Sequence, residues 1–123
     1  MMTPRVVDIH VGTKINSDTF VKAKAAGIWA IIHKATEGST YRDKTYATRR
    51  KMVSDAGLLW GAYHFNYGNN VDGQINNFLS YADPDENTLV CLDWETYKVN
   101  MTINAALAFL KKMEDRTRSE EHV

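Results

Sequence analysis

Two carboxylates, Asp93 and Glu95, close an apolar run in the segment Leu92-Asp93-Trp94-Glu95. In an extended strand, residues i and i+2 project from the same face with Cα atoms roughly 6.5–7 Å apart. Two carboxyls held that close can act as a proton donor and its charged helper, because one ionised acid raises the pKa of the other. Acidic residues also end strands simply where the chain reaches solvent, and spacing alone does not separate the two cases. Asp8, directly after Val6-Val7, adds a third carboxylate that must be paired or shifted in pKa if it is buried.

Four apolar, strand-like runs alternate with four helical patterns, which predicts βα units on a parallel sheet. The strands are expected over Arg5–Val11, Ile28–Ala35, Leu58–Phe65 and Leu89–Glu95. Ser17 and Asp18 can cap the first helix, and Asp43 the second, which carries Tyr46, Met52 and Val53. Gly27 and Gly57 supply left-handed helix ends. The third helix covers Val71–Tyr81 with Ile75, Phe78 and Leu79 inward. Thr102 caps the fourth, with a stripe of Ile103, Ala106, Leu107, Leu110 and Met113. The tail from Glu114 onward shows no core-facing pattern. This α/β architecture corresponds to about four units of a barrel or a doubly wound sheet, whereas a complete eightfold barrel takes about 250 residues. Its first and last strands are therefore expected to be open edges, which a second copy could cover.

In such folds ligands bind at the C-terminal strand ends. Polar and aromatic groups gather at all four: Asp8 and His10, then His33-Lys34-Ala35-Thr36-Glu37-Gly38, then Tyr63-His64-Phe65, then Asp93 and Glu95. Each has a plainer reading as well. His33 within Ile31-Ile32-His33 fits a hydrogen-bonded core histidine, Tyr63 and Phe65 fit barrel-top packing, and Lys34 with Glu37 fits a solvated ion pair.

The 123 residues are 44% hydrophobic, enough to bury one core without a disulfide or structural metal. Fifteen basic and fifteen acidic residues cancel and form no basic block, so neither nucleic acid nor a membrane surface is an expected partner. The single Cys91 sits among apolar neighbours and reads as a strand residue rather than a nucleophile. The N-terminus lacks the apolar region of a signal peptide, and no run is long enough to span a membrane. Asp8, His10, His64, Asp93 and Glu95 could ligate a metal, but their spacing matches no metal cage, so no metal or cofactor is expected. Serine chemistry lacks its GxSxG elbow.

Taken together, several segments resemble the family-25 glycoside hydrolases, lysozymes that act as N-acetylmuramidases. They are Val6-Val7-Asp8-Ile9, Ala25-Ala26-Gly27-Ile28 and His33-Lys34-Ala35-Thr36-Glu37-Gly38. Tyr41, Asp43 and Tyr46 follow, then Gly61-Ala62-Tyr63-His64-Phe65 and Leu92-Asp93-Trp94-Glu95. The resemblance runs from about Val6 to Arg116 and covers only the N-terminal part of the family's irregular, TIM-like (β/α) barrel. It implies a single domain over residues 1–123 that stops short at its C-terminal side. It also implies cleavage of peptidoglycan glycan strands between N-acetylmuramic acid and N-acetylglucosamine, in an endolysin or another wall-acting lysozyme. Glu95 would be the general acid, Asp93 its helper and Asp8 a stabiliser of positive charge on the sugar. Tyr63, Phe65, Glu37, Lys34 and Trp94 would contact substrate. His10 stands where the family usually has serine.

Overall fold

The computed structural model describes residues 5–118. The elements run β1 (Val6–Ile9), α1 (Thr19–Ala25), β2 (Ala30–Glu37), β3 (Tyr41–Arg42), α2 (Tyr46–Asp55), β4 (Leu59–Phe65), α3 (Val71–Ala82), β5 (Thr88–Asp93) and α4 (Ile103–Arg118). Strands β1, β2, β4 and β5 form a parallel sheet in that order, so each helical crossover returns beside its starting strand. The short β3 folds back antiparallel on β2. It is a two-residue element too brief to stand out in the sequence.

The architecture is that of the expected partial barrel, with β1 and β5 as open edges. One sheet face carries the helices. Ile9, Ile31, Ala35, Trp60 and Ala62 pack there against Phe20, Tyr46, Val53, Ile75, Phe78 and Phe109. The alternation of strand side chains sends the next residues to the other face, where Val6, Leu59 and Leu89 are about half exposed. Gly61 lies between Ile32 and Leu89, and a Cβ added there would come within 3.2 Å of the Leu89 carbonyl oxygen. A side chain at this position would push β4 and β5 apart.

Local signals explain most boundaries. Gly27 and Gly57 adopt positive φ after α1 and α2, as their positions require. Thr102 Oγ1 accepts from Ala105 N at the start of α4. Asp43 does not cap α2 directly: the helix starts at Tyr46, and the buried Asp43 carboxylate accepts instead from Val11 N, Thr45 N and Thr45 Oγ1. Among the described residues of α4, only Ala106, Phe109 and Met113 are buried. Ile103, Leu107 and Leu110 of the expected stripe are exposed, because α4 packs along one side only, chiefly against α3. The helix also continues past Glu114 to Arg118, and the last five residues lie outside those described.

Two histidines in the core are held neutral. His64 donates from Nε2 to Gln74 Oε1 and accepts at Nδ1 from Thr36 Oγ1, with its ring stacked on Phe109. Burial lowers its pKa to about 4. A depressed histidine contributes stability above its unfolded pKa of about 6.5 and loses it as pH falls through 4. Chemical denaturation followed from pH 7 to pH 4 is expected to show a loss on the order of 3 kcal/mol from this group. Stability that stays flat or rises over that interval contradicts the burial of a neutral His64.

Candidate active site

The polar groups at the strand ends meet on the face away from the helices, and an irregularity in β2 arranges them. Lys34 pairs with Tyr63 and Thr36 with His64, so Ala35 is an extra residue between two regular pairings. In an unbroken strand, residues three apart face opposite sides. The bulge at Ala35 shifts the alternation by one, so Thr36 turns inward to His64 while Glu37 joins Lys34 on the site face. Lys34 Nζ then reaches Glu37 Oε1 at 2.6 Å in a largely buried pair. The ammonium also lies 5.0 Å from the Tyr41 ring centre and 5.1 Å from that of Phe65. Of the two readings of this pair, the structure favours a shielded cation at the strand ends over a solvated one.

Asp93 ends β5 opposite Phe65. Burial raises its carboxyl pKa to about 6, and a hydrogen bond donated by its protonated form to Glu95, repulsion by Glu95 and a further contribution from Asp8 push the same way. Lys34 opposes them. Asp8 on β1, Lys34 on β2 and the Asp93–Glu95 pair therefore share one field across the sheet. Tyr63 sits in that field: burial, then Asp8, Asp93, Asp43 and Glu95, raise its phenol, so it stays a protonated hydroxyl at any ordinary pH. The structure thus brings together Asp8, Lys34, Glu37, Tyr63, Phe65, Asp93 and Glu95.

Two details depart from the sequence reading. The strand stops at Asp93, so Glu95 stands in the following loop rather than on the strand. And the carboxyl with raised proton affinity is that of Asp93. Trp94 points elsewhere. Its indole N–H donates to Met101 O, and with Glu95, Thr96, Asn100 and Met101 it lines a shallow groove beside the pair.

Behind the sheet a buried polar network fixes the loop after β1. Arg49 donates to His10 O at 2.6 Å and to Thr13 O at 2.9 Å, while Asp43 takes Val11 N at 2.8 Å. His33 stands beside them as a core histidine, donating from Nδ1 to Lys34 O, and burial lowers its pKa. His10 is exposed, and its Nδ1 accepts from Gly12 N of its own loop. Among the described residues no group of three or more His, Cys, Asp or Glu side chains is placed to hold a metal ion.

The profile of the glycosyl hydrolases family 25 matches residues 7–122. The chain belongs to that family. An autolytic lysozyme of Clostridium acetobutylicum is 34% identical over 74 residues, a match covering 60% of this chain and 22% of the lysozyme. Among solved structures, a muramidase from Acremonium alcalophilum superposes with a TM-score of 0.79 at 23% identity, covering 89% of this chain and 59% of that one. A bacterial lysozyme from Streptomyces coelicolor gives 0.77 at 21%, covering 97% and 59%. The chain thus spans less than two thirds of each relative, and its open parallel sheet has the fold of part of their irregular barrel.

Within this family-25 chain the sequence missed three groups around the acids. Tyr97 packs edge-on against Phe65 at 4.8 Å and Tyr67 at 5.9 Å, extending the aromatic rim into the loop after β5. Asn66 accepts from Glu95 N. Tyr67 and Tyr97 lie in segments without periodicity, so only the density of aromatics around Phe65 hinted at them. Lys34 is the cation that tempers Asp93, and Lys34→Met removes it while freeing Glu37. Both effects push Asp93 the same way, so ¹³C-carboxyl NMR titration should find Asp93 titrating above about 6. An unchanged or lower value contradicts the shared field.

Proposed function

We propose that this chain carries the acid groups of a peptidoglycan-cleaving muramidase, with Glu95 as general acid, Asp93 as its partner and Asp8 facing them from the far edge strand. The observation that carries this reading is the gathering of Asp93, Glu95 and, from the far edge strand, Asp8 around Lys34 and Tyr63, where burial and the neighbouring carboxylates raise the Asp93 carboxyl to about 6. Glu95 hands its proton to the glycosidic oxygen as the bond from the sugar carbon to that oxygen breaks. Asp93 orients the 2-acetamido group of the substrate, Asp8 offsets positive charge growing on the ring, and water completes the hydrolysis, returning a proton to Glu95. Tyr63, Phe65 and Lys34 form the floor that receives the sugar, with Glu37 holding Lys34 in place. The membership in family 25 and the lysozyme relatives support the substrate class. Peptidoglycan places the point of action at a cell wall. Among the described residues no helix is long and apolar enough to cross a membrane.

The Glu95→Gln variant is expected to lower lysis of purified cell walls by roughly 10²–10⁴-fold. Lysis by the unaltered chain should fall as pH rises through about 6, where Asp93 loses its proton. Chelators should leave it unchanged. Wild-type lysis by Glu95→Gln would remove the assignment, and strong inhibition by a chelator would point to a metal.

The uncovered inner face favours a second reading, in which this chain binds glycan or forms part of a larger assembly without cleaving on its own. Val6, Leu59 and Leu89 are 54%, 59% and 48% exposed there, and a second copy lying across the open edges would cover them. Native mass measured beside wall lysis separates the two: an active dimer supports an assembled cleft, and an inactive monomer supports the binding piece.

A further inference from the structure

We propose that Asn66 is the positioning residue for Glu95, its side-chain oxygen replacing a backbone acceptor at the point where the β4–β5 ladder ends. The functional meaning of this assignment rests on the muramidase reading, but the geometry does not.

The last regular pair between the strands is Phe65 with Asp93. A parallel ladder extended by one step would have Asn66 N donating to Asp93 O and Glu95 N donating to Asn66 O. The first of these bonds is present at 3.2 Å. The second is made instead to the Asn66 side chain, Glu95 N to Oδ1 at 2.9 Å. One residue therefore grips the Asp93–Glu95 segment at two points, with its backbone in front of Trp94 and its amide behind it. Glu95 is itself exposed and lies beyond the strand, so the bond from its N–H to Asn66 is what ties its backbone to the sheet.

The chemistry of the side chain argues that this bond is why asparagine occupies the position. Asn66 is fully buried, and its Nδ2 is the buried side-chain polar atom without a hydrogen-bond partner among the described residues. The bond from Glu95 N fixes the amide orientation, since the flipped form would set N–H against N–H. A leucine of similar size would fill the same space without stranding a donor. An amide kept there despite its stranded half points to the half that is used. No motif announces the role, because Asn66 follows Phe65 at the point where a strand gives way to a loop, and asparagine is ordinary there.

The groups that face Asp93 are Glu95 on its own segment, Asp8 from β1, Lys34 from β2 and the protonated Tyr63 from β4. If Asn66 holds Glu95 against Asp93, releasing it separates the two carboxyls and relieves Asp93. Amide hydrogen exchange on the unaltered chain comes first: the Glu95 N–H should exchange on the order of 100-fold more slowly than in an unstructured peptide, although its residue is exposed. Exchange at the unstructured rate overturns the proposal. In Asn66→Leu, ¹³C-carboxyl titration should move Asp93 down from about 6 toward the ordinary carboxylate range, whereas Asn66→Asp, which keeps the acceptor, should hold it at 6 or above. A folded Asn66→Leu with the Asp93 titration unchanged also overturns it. If Asn66→Leu does not fold, the exchange result decides.

Wall lysis supplies the functional arm. Asn66→Leu should lower kcat at least tenfold with KM unchanged, and Asn66→Asp should recover part of that loss with a pH limb moved upward. A merely structural role would lower stability without moving the pH limb. Should the unaltered chain fail to lyse walls while exchange and titration behave as expected, the muramidase reading falls and the positioning of Glu95 by Asn66 stands.

Discussion

The extra residue at Ala35 is the constraint on which the site depends. Without it the two sides of β2 would alternate regularly to the strand end, and Lys34 and Glu37 would face opposite layers. With it, Thr36 serves the core by binding His64, while Lys34 and Glu37 stand together beneath Tyr63 and Phe65. The bulge is itself secured, because Asp43 N donates to Ala35 O at 2.9 Å. A single irregularity therefore joins the packing of the helix layer to the electrostatics of the opposite face. It brings Glu37 beside Lys34, the cation that opposes the raising of Asp93 by its neighbouring carboxylates.

The helix layer answers with groups chosen for neutrality or full pairing. His33 and His64 are buried uncharged, and both lose proton affinity through burial. The Arg49 guanidinium and the Asp43 carboxylate are each hydrogen-bonded to backbone groups of the loop after β1. That loop would otherwise be a weak point, since β1 has four residues and, among the described residues, one neighbouring strand. The polar core thus serves the site from behind by anchoring the strand that bears Asp8.

Much of this was legible in the sequence because hydrophobic periodicity and glycine punctuation are local. The four βα units, Gly27, Gly57 and the Thr102 cap follow from residues within a turn of each other. So did the grouping of Asp8, Lys34, Glu37, Tyr63, Phe65, Asp93 and Glu95, because parallel strands bring their C-terminal ends to one side. What was not legible depends on partners far along the chain. Asp43 looks like a helix cap until Val11 arrives. The α4 stripe looks wholly buried until its packing on α3 leaves Leu107 and Leu110 outside. The end of β5 at Asp93, and with it the dependence of Glu95 on Asn66, turns on a hydrogen bond between segments that no pattern connects.

The acids stand on the two outermost strands, Asp8 on β1 and Asp93 on β5, with β2 and β4 between them. Neighbouring strands in a sheet are rotated by roughly 20–25°, and in a closed barrel the fixed tilt and stagger leave that rotation little freedom. Here the sheet is open, so no closure condition fixes the rotation at the three strand pairings between the acids. The separation of the carboxylates is then a mechanical quantity, the sum of three small hinges. Anything that stiffens the twist of the sheet, at whichever edge it acts, tunes the charge balance of the site without touching it.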